Sequence, residues 1–123
     1  LHKFFALLLF ASLHAMAATP AELLSGYTAQ AGQSANAAKG EAFFKASHGQ
    51  EWQCTSCHGK SPMVGGRHAS TDKAIEPLAP AANAKRFTDS AKAEKWFRRN
   101  CKDVLARECS ASEKADVLAW LIS

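Results

Sequence analysis

The fold is decided by one short stretch, Cys54-Thr55-Ser56-Cys57-His58. Its two thiols are one helical turn apart, where they can add to the two vinyl groups of a haem, and the adjacent histidine can then direct its imidazole at the iron. The pattern occurs once in the chain. We therefore predict one covalently attached haem c per chain, bound through Cys54 and Cys57, with His58 as a ligand to the iron.

Two other kinds of site share part of this pattern. A structural zinc site needs further thiolate or imidazole ligands at a sequence spacing that completes the coordination of one zinc ion. A thioredoxin-type redox pair occurs near a βαβ pattern, which this sequence does not show. Because a histidine directly follows Cys57, and because the chain has an export signal, the sequence favours haem over both.

The export signal lies in the first seventeen residues. Lys3 leads into an apolar run over residues 4–13, which is followed by the small-residue triplet Ala15-Met16-Ala17. The apolar run is about ten residues long, shorter than the roughly twenty that span a bilayer, so it is typical of a secretory signal peptide. We predict a cleaved signal peptide over residues 1–17, a periplasmic location and a single domain over residues 18–123. An uncleaved membrane anchor is the alternative.

The composition of the chain excludes several classes of protein. Of 123 residues, 47% are apolar and 21% are charged, which indicates neither a disordered chain nor a membrane bundle. The formal net charge is +4, and loss of Lys3 with the signal peptide would lower it to +3. Such a weak basic excess, without a concentrated basic run, argues against nucleic-acid binding.

Capping boxes mark the first and last helices. Residues 19–22 (Thr-Pro-Ala-Glu) and 110–113 (Ser-Ala-Ser-Glu) each pair a hydroxyl with a carboxylate that can satisfy free backbone donors at a helix start. The first helix should end at Gly32. The last helix should bury one face made of Ala115, Val117, Leu118 and Leu121, with Trp120 beside it.

Two further helices are predicted between these. Ser34 can cap one that runs to about Ser47, and Thr88 or Asp89 can cap one that ends near Cys101. Apolar residues recur at helical spacing in both.

Gly40, in the second helix, would let another backbone approach closely. From Gly59 to Pro80 the chain is rich in Gly, Pro, Ser and Lys without a sustained period, which predicts an ordered loop around the haem. No segment alternates as a strand does. The predicted fold class is all-α, with helices wrapped around one covalently bound haem.

The second face of the iron decides what such a protein does. A methionine there gives a closed electron carrier, but Met16 lies in the signal peptide and Met63 is only five positions after His58. His68 lies on the loop between Gly59 and Pro80. As a second imidazole ligand it would leave no position on the iron for a small ligand and would give a low-spin iron.

Asn100 is the other candidate for this face. It lies on the same helical face as Trp96, in the predicted last turn of the third helix. The residues alone favour a structural role for it, because asparagine is common at helix C-termini. Because no methionine is well placed to ligate this face of the iron, Asn100 remains a candidate ligand. Phe87, Trp96 and Phe97 are predicted to pack against the haem and the core.

Two features adjoin Asn100. Cys101 and Cys109 bracket a short segment between two helices, and in an oxidising compartment a disulfide between them is the default. Such a disulfide would fix the direction of the asparagine side chain. Basic residues dominate the third helix and form either a solvated face or a docking patch for an acidic redox partner: Lys92, Lys95, Arg98, Arg99 and Lys102.

Residues 75–80, 86–90, 113–116 and 118–121, together with Trp96, Asn100 and Cys101, resemble the sphaeroides haem protein (SHP) family, which are monohaem class I cytochromes c. The resemblance implies that His58 and Asn100 are the proximal and distal ligands of ferric iron, and that Cys101 and Cys109 are bonded. It also implies a high-spin iron that releases the asparagine on reduction and then binds oxygen, nitric oxide or similar ligands. Its implied electron donors are a dihaem cytochrome c and a membrane cytochrome b.

Three functions compete at this point. The leading hypothesis is a periplasmic haem protein that accepts an electron and then binds a small ligand. The second is a closed, low-spin electron carrier with His68 as sixth ligand. The third is an oxygen, peroxide or nitric oxide oxidoreductase, which would need an external electron supply because one haem stores one electron, and for which the sequence shows no distal acid-base pair.

Overall fold

The fold is built from five helices and one short hairpin in residues 17–123, the part of the chain that this computed structural model describes. Apart from Ala17, the predicted signal peptide lies outside those residues. Within them, no helix combines the length and the apolar character that a membrane span requires. The elements are α1 (Pro20–Ala31), α2 (Ala37–Lys45), α3 (Cys54–His58), β1 (Gly66–Arg67), β2 (Ala74–Ile75), α4 (Ser90–Leu105) and α5 (Ala111–Leu121).

The first and last helices begin at the predicted capping residues. Thr19 Oγ1 accepts a hydrogen bond from the Glu22 amide at 3.1 Å, and α1 is capped at its C-terminus by Gly32, whose φ of 68° is left-handed. At α5 the capping box is reciprocal: the Glu113 amide donates to Ser110 Oγ at 3.1 Å, and the Ser110 amide donates to Glu113 Oε2 at 2.8 Å. The capping box of α5 is confirmed, whereas at α1 only the threonine half of the predicted box is formed.

Of the ends of the inner helices, the start of α4 at Asp89 is confirmed, and the other three differ from the prediction. Asn36, not Ser34, caps α2 by accepting from the Lys39 amide at 3.0 Å, and α2 ends at Lys45 rather than near Ser47. Asp89 caps α4, which continues beyond Cys101 for another turn to Leu105. The extra turn forms because its apolar spacing continues: Cys101 and Val104 are both buried.

The crossing of α2 and α5 confirms the prediction for Gly40. A Cβ atom at this position would overlap the backbone carbonyl of Asp116, so only glycine allows the two backbones to approach this closely. One turn further along α2, the buried side chain of Phe44 packs with Val117 and Leu121 of α5. The crossing forms one of the two apolar clusters of the core.

The second cluster joins α1, α4 and α5. Its buried members are Leu23, Tyr27, Ala93, Ala115 and Leu118. Phe87 and Phe97 contact both clusters, and the Phe97 ring meets Tyr27 edge-on with centroids 5.6 Å apart. The two clusters therefore form a continuous core through these two phenylalanines.

The segment after α3 contains strands that were not predicted from the sequence. β1 and β2 pair antiparallel, with Gly66 opposite Ile75 and Arg67 opposite Ala74. Each strand has two residues, too few to produce an alternating pattern that could be recognised in the sequence. The rest of the segment is irregular, as expected.

Candidate haem site

Helix α3 holds the two thiols of the motif on one turn. Ser56 Oγ accepts from the Gln53 amide at 3.0 Å at the start of the helix, and the helix ends at Gly59, with φ of 70°. Cys54 and Cys57 are both half-buried and not disulfide-bonded. Burial raises the pKa of Cys54 to about 11, so the thiol is neutral at pH 7. This argues against a catalytic redox pair, which depends on a lowered thiol pKa.

His58 lies at the end of α3 against apolar side chains. Its ring centroid is 6.0 Å from that of Phe44, which also contacts Trp120 at 5.1 Å. Burial, with a smaller contribution from the nearby Arg86 guanidinium, lowers the pKa of His58 to about 4. The imidazole is therefore neutral at pH 7, which is the form that ligates a metal.

The hairpin packs directly on α3. A Cβ atom at Gly66 would overlap the Cys57 carbonyl, and the Ala69 amide donates to Cys57 Sγ at 3.3 Å. Gly66 was not predicted as a site residue. The Gly65-Gly66 pair is a local signal of close backbone approach, but nothing in the sequence says which backbone comes near.

Arg86 is a second residue near the site that was not predicted. Its Nε donates to the Pro77 carbonyl at 2.9 Å, and its terminal nitrogen Nη2 donates to the Glu76 carbonyl at 2.8 Å. These bonds hold the end of the loop in place, close to His58. No motif could have identified Arg86, since its partners are backbone atoms.

His68 is held by hydrogen bonds in a tight turn. Its Nδ1 accepts from the amides of Ser70 and Thr71 at 3.2 and 3.3 Å, and the Trp52 ring lies edge-on to it with centroids 6.0 Å apart. A nitrogen that accepts from two amides carries no proton, so in the neutral ring the proton is on Nε2. Neither ring nitrogen is then free to ligate iron while this turn is intact.

Asn100 lies inside α4, because the helix continues to Leu105. The helix-terminal role that the residues alone favoured is therefore wrong: the left-handed end of α4 is Ala106, with φ of 57°. Asn100 is exposed, and its side-chain amide makes no hydrogen bond to any residue between 17 and 123. The next residue, Cys101, forms the predicted disulfide with Cys109, with Cα atoms 5.6 Å apart.

The three aromatic residues near this helix have different surroundings. Phe87 and Phe97 are half-buried between the two core clusters. Trp96 is 43% exposed and lies outside the core, which corrects the core part of its prediction. Its ring instead faces Arg99 and Lys95, whose cationic groups are 5.3 and 5.7 Å from the ring centroid. Packing of these residues against haem stays a prediction.

The residues around α3 fit a covalently attached haem. Two thiols lie on one helical turn, a neutral imidazole follows them, and Phe44 and Leu78 provide apolar surface in the same cluster as Cys54. Among residues 17–123, no three His, Cys, Asp or Glu side chains are grouped so that they alone could hold a metal ion. A porphyrin would supply the remaining ligands of an iron at His58.

A helical fold of this kind around a single Cys-x-x-Cys-His helix defines a class I cytochrome c. Comparison with known proteins narrows the class. Residues 30–121 match the family described as Domain of unknown function (DUF1924). Cytochrome c-type protein SHP of Cereibacter sphaeroides is 47% identical over 107 residues, which cover 84% of this chain and 82% of that protein. The chain belongs to the sphaeroides haem protein family, and it is a monohaem cytochrome c with one covalently attached haem c.

Solved structures agree with this assignment. Oxidised SHP, described as an oxygen-binding cytochrome c, superposes with a TM-score of 0.82 at 46% identity, covering 86% of this chain and 97% of that one. Oxidised cytochrome c'' of Methylophilus methylotrophus superposes with a TM-score of 0.73 at 38% identity, covering 85% and 93% of the two chains. The sequence match to cytochrome c'' is 46% over 80 residues and spans 56% of that protein. The all-α cytochrome c fold is confirmed.

Proposed function

We propose that this chain is a periplasmic cytochrome c whose Asn100 ligates ferric iron and leaves on reduction, so that oxygen, nitric oxide or another small ligand can bind. Cys54 and Cys57 would attach the haem, and His58 would ligate the iron from the proximal side. When bound, the haem would supply an iron that can accept one electron and bind an exchangeable small ligand.

The observation that carries the proposal is the position of Asn100 within α4. Asparagine is a poor residue for a helix interior, at a cost of about 0.7 kcal/mol relative to alanine, and this one has no hydrogen bond among the described residues that would compensate. The disulfide at the neighbouring Cys101 anchors the helix at this point. A free amide on a fixed helix is suited to contact a bound group.

The chemistry of the amide supports release on reduction. An amide oxygen is a hard, weak-field donor, which suits ferric iron and suits the softer ferrous ion poorly. Reduction should therefore weaken the interaction of the Asn100 amide with the iron, so that Asn100 can leave. The relative SHP is described as an oxygen-binding cytochrome c, which supports oxygen as a ligand of this chain.

The electron donors and the location follow from the family resemblance and the export signal. A dihaem cytochrome c and a membrane cytochrome b are the proposed donors. Cleavage after Ala17 is supported by the packing of Ala18, whose amide donates to the Thr88 carbonyl at 3.0 Å and which contacts the α1/α4/α5 cluster. Mass spectrometry of the exported protein should give Ala18 as its first residue; an intact residue 1 would contradict cleavage.

The closed electron carrier with His68 as sixth ligand is less well supported, because Nδ1 of His68 is held by two backbone amides. It predicts low-spin spectra in both oxidation states and slow binding of carbon monoxide. Our proposal predicts a high-spin ferrous form and fast binding of carbon monoxide to it.

Substitution of Asn100 tests the proposal. Asn100→Ala should change the spin state or coordination of the ferric protein at neutral pH. The ferrous spectra of the variant and the original chain should coincide, since the asparagine has then left. Lys102→Ala, a change at an exposed position of the same helix, is the control and should leave both spectra unchanged. An unaltered ferric spectrum for Asn100→Ala would rule out ligation, and differing ferrous spectra would rule out release.

A further inference from the structure

The core contains the only tyrosine of the chain. Tyr27 lies on α1, is buried, and meets the ring of Phe97 edge-on with centroids 5.6 Å apart. Its hydroxyl donates a hydrogen bond to the carboxylate of Glu94 on α4. Phenylalanine would fill the same space without a polar group that has to be satisfied. The candidate haem site uses neither Tyr27 nor Glu94, so this polar contact in the core has no role there.

Glu94 is held in place by Lys114 of α5. The Lys114 ammonium donates to both carboxylate oxygens, at 3.1 and 3.2 Å, and lies 5.6 Å from the centroid of the Tyr27 ring. Burial alone would raise the pKa of Glu94, but hydrogen bonds from Tyr27 and Lys114 lower it on balance, so the carboxylate is ionised at pH 7. Burial and this carboxylate raise the pKa of Tyr27, which keeps its proton. The resting pair is a neutral phenol that faces a fixed, ionised proton acceptor.

This arrangement suits the loss of one electron from the phenol. An oxidised phenol is a strong acid, and a radical cation buried among apolar side chains is costly. Transfer of the proton along the existing hydrogen bond leaves a neutral radical on Tyr27 and a neutral carboxylic acid at Glu94. The side chain of Glu94 is 42% exposed, so water can then take the proton. Tyr27 is therefore easier to oxidise than a buried phenol without a base.

Packed side chains connect Tyr27 with the haem-attachment residues. Phe97 packs against both core clusters, and Cys54 packs against the cluster of Phe44. Electrons tunnel more readily through closely packed atoms than across gaps, and a protein core has few gaps. An electron can therefore pass between Tyr27 and a haem attached at Cys54 through the core, by way of Phe97.

An open groove on the surface reaches the tyrosine from the other side. Gly26, Tyr27, Ser90 and Glu94 are among the residues that line it. Gly26 has no side chain, and no atom lies within 4 Å of the place that a methyl group would take there. A small reductant in solution can therefore come close to the pair of Tyr27 and Glu94.

We propose that Tyr27 is a redox-active residue that returns electrons to the haem when hydrogen peroxide oxidises it, with Glu94 as the proton acceptor. In this step the O–H bond of Tyr27 breaks, the electron passes to the haem, and the proton passes to the Glu94 carboxylate. Complete reduction of one peroxide to two water molecules takes two electrons and two protons. Tyr27 delivers the electrons singly, ascorbate or a similar reductant restores it after each, and the protons come from water. The inference rests on the part of the proposed function that lets a small ligand bind the iron.

Electron paramagnetic resonance of freeze-quenched samples tests the inference. Ferric holoprotein is mixed with hydrogen peroxide, and a tyrosyl radical should appear that ascorbate removes. Since the chain contains one tyrosine, ring-deuterated tyrosine assigns the signal: its hyperfine splitting should collapse. Tyr27→Phe keeps the ring and its packing, and it should abolish the tyrosyl signal and make peroxide bleach the haem faster.

Glu94→Gln tests the proton acceptor. The amide keeps the size of the side chain and an acceptor oxygen but is a far weaker base, so the yield of the radical should fall about tenfold or more. Glu22→Gln, the same change at an exposed residue that lines the same groove, is the control and should leave the yield unchanged. The midpoint of unfolding is measured for each variant, which separates a loss of packing from the loss of the base.

Three outcomes would overturn the inference. A radical signal that ring-deuterated tyrosine leaves unchanged would assign the radical to another side chain, such as Trp120. Equal yields in Glu94→Gln and Glu22→Gln would show that Glu94 does not take the proton. The third is the absence of a tyrosyl signal, whether or not peroxide alters the haem spectrum. In that case binding of carbon monoxide to the ferrous protein leaves the proposed function intact, and its absence shows that the proposed function fails as well.

Discussion

Gly40 shows how much a single residue can decide in this fold. The backbone of α5 passes so close to it that a Cβ atom would overlap the Asp116 carbonyl, and a backbone atom cannot move aside as a side chain can. Gly40→Ala should therefore lower the free energy of unfolding by about 2–3 kcal/mol or more, the range for overpacking a tight contact. Denaturant unfolding measures this.

The matched control is Gly26→Ala. Gly26 lies inside α1, and no atom lies within 4 Å of the place that an alanine methyl group would take. Alanine there should stabilise the protein by about 0.5–1 kcal/mol through helix propensity. Equal effects of the two changes would contradict the close crossing of α2 and α5.

Glu113 links the capping of α5 to pH. Two hydrogen bonds from Arg107, at 2.8 and 3.0 Å, lower the pKa of this carboxyl, with a further contribution from the Ser110 amide and some opposition from burial. A lowered folded-state pKa gives stability that is present above the unfolded glutamate pKa of about 4.3 and is lost as pH falls through the folded value.

We expect Glu113→Gln to lower the melting temperature at pH 7 by a small amount, since the pair is partly exposed. The difference from the unsubstituted protein should narrow as pH falls below the unfolded glutamate pKa of about 4.3, because the native carboxyl then becomes protonated as well. A difference that is constant from pH 7 to pH 3 would contradict the assigned pKa direction.

At the scale of elements, the connection between α4 and α5 is closed by the disulfide. The bonded cysteines are both buried and close a loop of nine residues, Cys101 to Cys109. Cys101→Ala/Cys109→Ala should lower the free energy of unfolding by about 2.5 kcal/mol in the chain-entropy description. Denaturant unfolding at neutral pH checks this value.

The same variant has a second readout at the haem. If the disulfide fixes Asn100, the ferric spectrum should become a mixture of coordination states, since the end of α4 is then less restrained. A single unchanged ferric species would show that α4 holds Asn100 without the disulfide. An unchanged midpoint of unfolding would show that the disulfide adds no stability.

At the scale of the whole molecule, the core is small. The two clusters contain five and three buried residues, joined through Phe87 and Phe97. A chain of this length buries little apolar surface by itself, so a large apolar group bound among the helices should contribute much of the stability. Covalent attachment would keep that group in place.

We therefore expect Cys54→Ser/Cys57→Ser to yield a haem-free chain with reduced helix content and no cooperative unfolding transition, measured by far-ultraviolet circular dichroism. Cys54→Ser alone keeps one attachment point and should be intermediate. A haem-free double variant with native helix content and a sharp transition would show that the protein part of the core is sufficient.

The sequence by itself determined the class of this protein and most of its helices. The haem motif, the capping boxes and the apolar spacing act over a few neighbouring residues, so they can be recognised without knowing the fold. The close approach predicted at Gly40 and the pairing of Cys101 with Cys109 were also correct.

Only the tertiary structure decided what surrounds the candidate iron ligands. Burial of Cys101 and Val104 extends α4 by a turn, and this moves Asn100 from a helix end into the helix interior. Amides of the turn hold His68, and backbone carbonyls hold Arg86 near His58. These contacts join residues through backbone geometry and burial, which depend on how the helices pack and leave no local pattern in the sequence.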